Sequence, residues 1–175
     1  MKYLVTGCAG FIGSNLTEKL LADGHEVIGI DNFNNYYHPA IKEQNIMSFQ
    51  DHDKFSLYRV DIIEFDKLRD IFASEKIDKV IHLAARAGVR ASIEQPLLYN
   101  QVNSQGMANL LELSKEHNIQ NFVLLLHLQF TVNVKTCLFM KTMRSNQLVL
   151  MLLVKKLVSS WVILIIIFIK FLLLP

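Results

Sequence analysis

Lys2-Tyr3-Leu4-Val5-Thr6-Gly7-Cys8-Ala9-Gly10-Phe11-Ile12-Gly13 is the stretch whose reading decides the fold. A short apolar run that stops at a glycine reads as a buried strand. Downstream, Ile12, Leu16, Leu20 and Leu21 recur at helical spacing as far as Asp23-Gly24, a stop signal. Glu26 to Ile30 is a second β-branched run. Lys54 to Val60 reads as a third strand, Phe65 to Phe72 as a helix, and Lys79 to Leu83 as a fourth strand. Leu97 to Glu116 reads as one long helix, and Asn121-Phe122-Val123 opens a fifth strand. Strands separated by helices imply right-handed crossovers and a parallel sheet. The predicted class is α/β, a doubly wound Rossmann-type sheet with ligand-binding loops at the carboxyl ends of its strands.

Glycines at 7, 10 and 13 fall between the first strand and the first helix, where each has a physical task. One permits the tight turn, one lets backbone approach a pyrophosphate, and one lets helix and strand pack closely. The helix N-terminus adds unpaired N–H groups and a partial positive charge. Asp31 follows 18 residues after Gly13. A carboxylate there accepts both ribose hydroxyls of an adenosine and repels a 2′-phosphate, which favours NAD over NADP.

Composition divides the chain. All 16 Asp and Glu lie at or before Glu116, all 7 Gly at or before Gly106 and all 5 Tyr at or before Tyr99. Residues 1–116 therefore carry −4 and residues 117–175 carry +6. The pI near 8.5 averages an acidic part with a basic, apolar one, so it points to no nucleic-acid partner. Two cysteines, Cys8 and Cys137, make no disulfide framework, which suits a reducing, cytoplasmic setting. No metal-ligand spacing occurs.

The turn, then Gly29-Ile30-Asp31-Asn32, Asp61-Ile62 and His82-Leu83-Ala84-Ala85, resembles the extended short-chain dehydrogenase/reductase family. Asp31-Asn32-Phe33-Asn34-Asn35-Tyr36-Tyr37 and the Ala87-Gly88-Val89-Arg90 stretch resemble nucleotide-sugar epimerases of the UDP-glucuronate 4-epimerase type, which serve capsule or lipopolysaccharide sugars. The likeness covers residues 1 to about 123. It implies that Gly7, Gly10, Phe11, Ile12 and Gly13 cradle the pyrophosphate of NAD. Asp31 and Asn32 would hold the adenosine ribose, and Asp61 and Ile62 would border the adenine. Leu83, Ala84 and Ala85 would line the nicotinamide half, and Gly88, Val89 and Arg90 would reach the nucleotide sugar, a UDP-uronic acid. The family's N-x-x-G-T stands here as Asn103-Ser104-Gln105-Gly106-Met107. His82 reads as a packed strand residue and Cys8 as a variable turn position. A dTDP-glucose 4,6-dehydratase-like chain is the alternative within the enzymes, and A-G-V-R argues against it.

The family reaction removes hydride from C4 of the sugar and returns it to the other face. It takes a strand-5 Ser/Thr and a Tyr-x-x-x-Lys base. Neither is present: no Tyr of the chain has Lys at the fourth following place, so no catalytic residue is assigned. Members are often homodimeric, through a helix that is not intact here. Two domains follow: a dinucleotide-binding half-domain, 1–126, and an aberrant basic, apolar tail, 127–175. The tail reads as the family's own gene in a shifted frame. With Met151 to Lys156 written ATG CTG CTA GTA AAA AAG behind a T, the neighbouring frame gives Y-A-A-S-K-K, and Leu157 to Trp161 continue it as A-G-E-L-L. Gln129 to Val132 give S-V-Y-G in the same way. Asp and Glu codons begin GA, so losing the G explains the missing acids. This places a one-base insertion or deletion near codons 124–128. The rival reading is a membrane-associating segment at 157–174, whose 13-residue uncharged run Leu157–Ile169 is short for a bilayer of ~30 Å.

Overall fold

The structure, a computed structural model, describes residues 1–129 and 162–170, with side chains through Leu125. The shifted-frame reading, Cys137 and most of the 127–175 domain lie outside the described residues. So does half of the 157–174 segment.

Six strands form one sheet: β1 Lys2–Thr6, β2 Glu26–Ile30, β3 Phe55–Tyr58, β4 Lys79–His82, β5 Asn121–Gln129 and β6 Val162–Lys170. Their order is β3-β2-β1-β4-β5-β6. The first five pair in parallel, and β6 pairs antiparallel with β5, Asn121 opposite Lys170. The chain winds outward from β1 in both directions, so the switch point falls between β1 and β4. There the connecting loops diverge and leave a crevice.

Both faces of the sheet are covered, which is why the strands read as nearly continuous apolar runs. Successive residues of β1 point to opposite sides. Leu4 joins Ile28, Ile30, Val80, Leu110 and Phe122 beneath α3 (Phe65–Ser74) and α6 (Gly106–Glu116). Val5 joins Val27, Leu21, Ile46 and Phe49 beneath α1 (Phe11–Ala22) and α2 (Pro39–Ile46). The parallel Rossmann-type sheet expected from the sequence is therefore present.

Local differences have local causes. The third strand is shorter than the expected Lys54–Val60 stretch. Helix α2 was not apparent from periodicity, and it starts on Pro39 with His38 Nδ1 accepting from the Ala40 amide. The single helix expected over 97–116 is three pieces. They are α5 (Pro96–Asn100), a π-helical turn over Gln101–Gln105, and α6; a short α4 (Val89–Glu94) precedes them. A π turn rotates the following residues about the helix axis and is common at functional sites.

Close approach is tightest at Gly13. A Cβ there would stand 2.0 Å from the Gly7 carbonyl oxygen, a backbone atom with nowhere to go. At Gly106 the neighbours are Cδ1 and Cγ1 of Ile62, at 2.5 and 2.6 Å, side-chain atoms that can shift where a backbone oxygen cannot. Gly13→Ala is expected to destabilise the chain by about 2–3 kcal/mol and Gly106→Ala by about 1 kcal/mol. Urea unfolding followed by circular dichroism reads the order; equal midpoints for the two variants would contradict it.

Candidate functional site

The crevice is built from the turn after β1 and the loop after β4. Gly7 has φ +72°, a left-handed conformation that favours glycine. A Cβ on Gly7 would lie 2.9 Å from the Ala84 amide nitrogen, so the two loops touch at this point. The Gly10 amide donates to the Gly7 carbonyl at 3.0 Å and closes the turn. Helix α1 begins immediately, and its first amides, at Phe11, Ile12 and Gly13, have no acceptor within the helix. The Phe11 and Ile12 side chains are exposed, and their amides stand at the open end of the helix. A helix start with unpaired backbone N–H groups beside a glycine turn fits a diphosphate.

A buried polar chain fixes β4 against β1. The Thr6 hydroxyl oxygen accepts from the amides of both Leu83 and Ala84, each at 3.2 Å. Its one proton therefore goes to His82 Nδ1, 2.7 Å away, which makes that nitrogen the acceptor of a neutral ring. Burial pushes the His82 imidazole down to about 4. His82 is thus a packing residue, as its place in the strand suggested.

Asp31 lies at the end of β2 and is buried. Its Oδ2 accepts from the Ala9 amide at 3.3 Å, inside the glycine turn, and its Oδ1 accepts from the Phe33 amide at 2.9 Å. Lys42 of α2 donates to Oδ1 at 2.8 Å, and this ion pair is buried on both sides. Sequence reading missed Lys42 because it missed α2. Asn32 donates to Asp61 Oδ2 at 2.6 Å, which joins the ends of β2 and β3. Asp61 also accepts from the Ile63 amide and so shapes its own turn. Ile62 is buried against Gly106 and presents little surface to a ligand. Burial first, then the Asp31 charge, pushes the Cys8 thiol up, so Cys8 is inert.

After β4, Leu83 and Ala84 are half-buried, whereas Ala85, Gly88, Val89 and Arg90 are exposed. Two tyrosines hold this loop from one point. Tyr36 and Tyr99 both donate to the Ala87 carbonyl, at 2.6 and 2.5 Å. Burial, then the neighbouring Tyr36, raises the Tyr99 phenol above its usual value, which unsuits it as a proton acceptor. Asn103, in the π turn, accepts from the Arg86 amide at 2.8 Å and donates to the Arg86 carbonyl at 2.9 Å. Its side-chain amide thus pairs with the loop as a neighbouring strand would. No group of three or more His, Cys, Asp or Glu positioned for a metal occurs among the described residues.

Two measurements check these assignments. The folded pKa of His82 lies below the ordinary 6.5, so its contribution is fully present above pH 6.5 and is lost as pH falls towards 4. The loss amounts to about 3 kcal/mol. Urea midpoints across pH 4–7 are expected to fall less steeply for His82→Asn than for the natural chain; parallel curves would contradict this. Lys42→Met leaves Asp31 buried without its cation and is expected to cost about 3–5 kcal/mol. A loss below about 1 kcal/mol would show that Asp31 does not depend on the pair.

Comparison with known proteins agrees with this geometry. Protein CapI of Staphylococcus aureus is 45% identical over 123 residues, 70% of this chain and 36% of the relative. A UDP-glucuronate 4-epimerase of Thermodesulfobacterium geofontis is 46% identical over 122 residues, 70% of this chain and 38% of the relative. Among solved structures, UDP-glucuronic acid 4-epimerase from Bacillus cereus in complex with NAD matches with a TM-score of 0.59 and 36% identity. That match covers 70% of this chain and 38% of the other. The chain thus spans little more than a third of the length of the curated relatives it matches. Residues 4–128 match the family model for GDP-mannose 4,6 dehydratase, and the chain belongs to that family.

Proposed function

We propose that this chain is the NAD-binding part of a nucleotide-sugar 4-epimerase of the UDP-glucuronate type. It binds the dinucleotide and does not turn over sugar. The observation that carries the reading is the Asp31 carboxylate at the rim of the glycine turn, 3.3 Å from the Ala9 amide. It supports a ribose acceptor beside a diphosphate cradle. The amides of Gly10 to Gly13 would hold the pyrophosphate, Asp31 and Asn32 the adenosine ribose, and Leu83 to Ala85 the nicotinamide half. Asp31 sets the choice of dinucleotide, because a 2′-phosphate would meet a carboxylate. The chemistry that NAD supplies when bound is reversible hydride acceptance.

The chain's own residues provide orientation and exclude water from the phosphate side. They do not provide the base: no Tyr is followed by Lys at the fourth place, and Tyr36 and Tyr99 spend their hydroxyl protons on Ala87. Resemblance to UDP-glucuronate 4-epimerases at 46% identity supports that sugar class. The absence of acids from residues 117–175 supports an out-of-frame origin for the tail. Sequencing the gene around codons 124–128 tests that origin; a neighbouring frame without the family's residues would refute it.

Titration of the full chain followed by intrinsic fluorescence is expected to show NAD binding and NADP binding at least about tenfold weaker. With UDP-glucuronate and NAD present, no UDP-galacturonate is expected to form. Equal affinity for the two dinucleotides would contradict the role of Asp31. Turnover would contradict the missing base.

A further inference from the structure

Among the described residues, none pairs with the half-buried Arg86 side chain. Its backbone is clamped on both sides by Asn103, so the residue is held in place. Its Nε is buried and has no hydrogen-bond partner, and its side chain makes no ion pair or hydrogen bond with any described residue. The other buried or stacked cations of the site are matched. Lys42 pairs with Asp31, and Arg59, 3.9 Å over the Phe33 ring, pairs with both oxygens of Glu43. No side-chain carboxylate elsewhere can supply the missing partner, because all 16 Asp and Glu lie within the described residues. A half-buried guanidinium without a counter-charge is costly, and Arg presents a planar fork suited to an oxyanion.

Its surroundings lead back to the glycine turn. The Arg86 guanidinium lies 5.9 Å from the centre of the Tyr36 ring. Tyr36 and Tyr37 meet edge to face, 6.3 Å between centroids. The Tyr37 hydroxyl in turn lies 3.6 Å from where a Cβ on Gly10 would stand. Tyr36 and Tyr37 therefore link Arg86 to the glycine turn as successive neighbours.

We propose that Arg86 is an anion-binding residue of the crevice, taking a phosphate oxygen of a bound diphosphate through its guanidinium. The proposal rests on the dinucleotide-binding reading for the ligand's place. It differs from that reading in assigning a side chain, beyond the backbone cradle, to the charge. A dinucleotide and a nucleotide diphosphate sugar share the diphosphate, and separate probes distinguish them.

The test is a set of titrations of the full chain, natural, Arg86→Gln and Arg86→Lys, with NAD, UDP, inorganic pyrophosphate and adenosine. Arg86→Gln is expected to weaken pyrophosphate, and NAD or UDP, by about tenfold or more, with Arg86→Lys between the two. Whichever of NAD or UDP shows the loss identifies the source of the diphosphate. Adenosine, which has no phosphate, is expected to bind all three chains alike. The ligand-free melting temperature of Arg86→Gln is expected to equal or exceed that of the natural chain, because an unmatched charge has been removed. Equal affinities of the natural chain and Arg86→Gln for every phosphate probe would overturn the proposal while leaving NAD binding intact. A loss shared by adenosine, or a natural chain that binds no phosphate probe, would also overturn it.

Discussion

The approach of Gly13 to Gly7, so close that a Cβ would stand 2.0 Å from a carbonyl oxygen, is the constraint on which the rest of the site depends. It seats the first turn of α1 on the strand that precedes it and aims that turn's amides into the crevice. Gly7 then touches Ala84, which ties the β1 turn to the β4 loop. Thr6 and His82 hold the same junction from below through a hydroxyl that accepts two amides and donates once. Backbone crowding and one buried polar chain together set the geometry of the crevice.

Around that junction the charges are arranged with little redundancy. The front of the chain carries −4, yet the crevice itself holds Lys42 and Arg86 against Asp31. Pairing with Lys42 gives the buried Asp31 carboxylate a counter-charge while its other oxygen meets the turn. Arg86 has no such match. A site for a multiply charged anion needs an excess of positive charge before the ligand arrives, and the backbone amides supply only part of it. The tyrosines at 36 and 99 serve the loop's geometry: both spend their hydroxyls on one carbonyl, which fixes Gly88 at φ +97° and the chain that enters α4.

Much of this was legible in the sequence because it is local. The strand-glycine-helix pattern is a statement about backbone crowding, and crowding leaves glycines behind. The Asp31 position follows from the length of one βαβ unit. What was not legible depends on contacts distant in the chain. Lys42 reaches Asp31 from a helix whose polar, weakly patterned residues (Pro39–Ile46) carry no periodic signal. Asn103 reaches Arg86 only because a π turn interrupts a pattern that reads as one continuous helix. The contact of the buried Ile62 side chain with Gly106 likewise joins residues distant in the chain. The apolar segment 157–174 carried a hydropathy signal for a membrane. Its portion Val162–Lys170 lies along β5 as a strand, and no helix among the described residues is long and apolar enough to cross a bilayer.

Amide chemical-shift mapping of the nitrogen-15-labelled full chain during titration with NAD is the most direct measurement. The largest shifts should fall on the amides of Gly10 to Gly13 and of Leu83 to Arg86, with Ala9 and Phe33 moving as Asp31 engages the ribose. Shifts absent from the glycine turn, or spread evenly over the sheet, would contradict a dinucleotide site at the β1–β4 switch point.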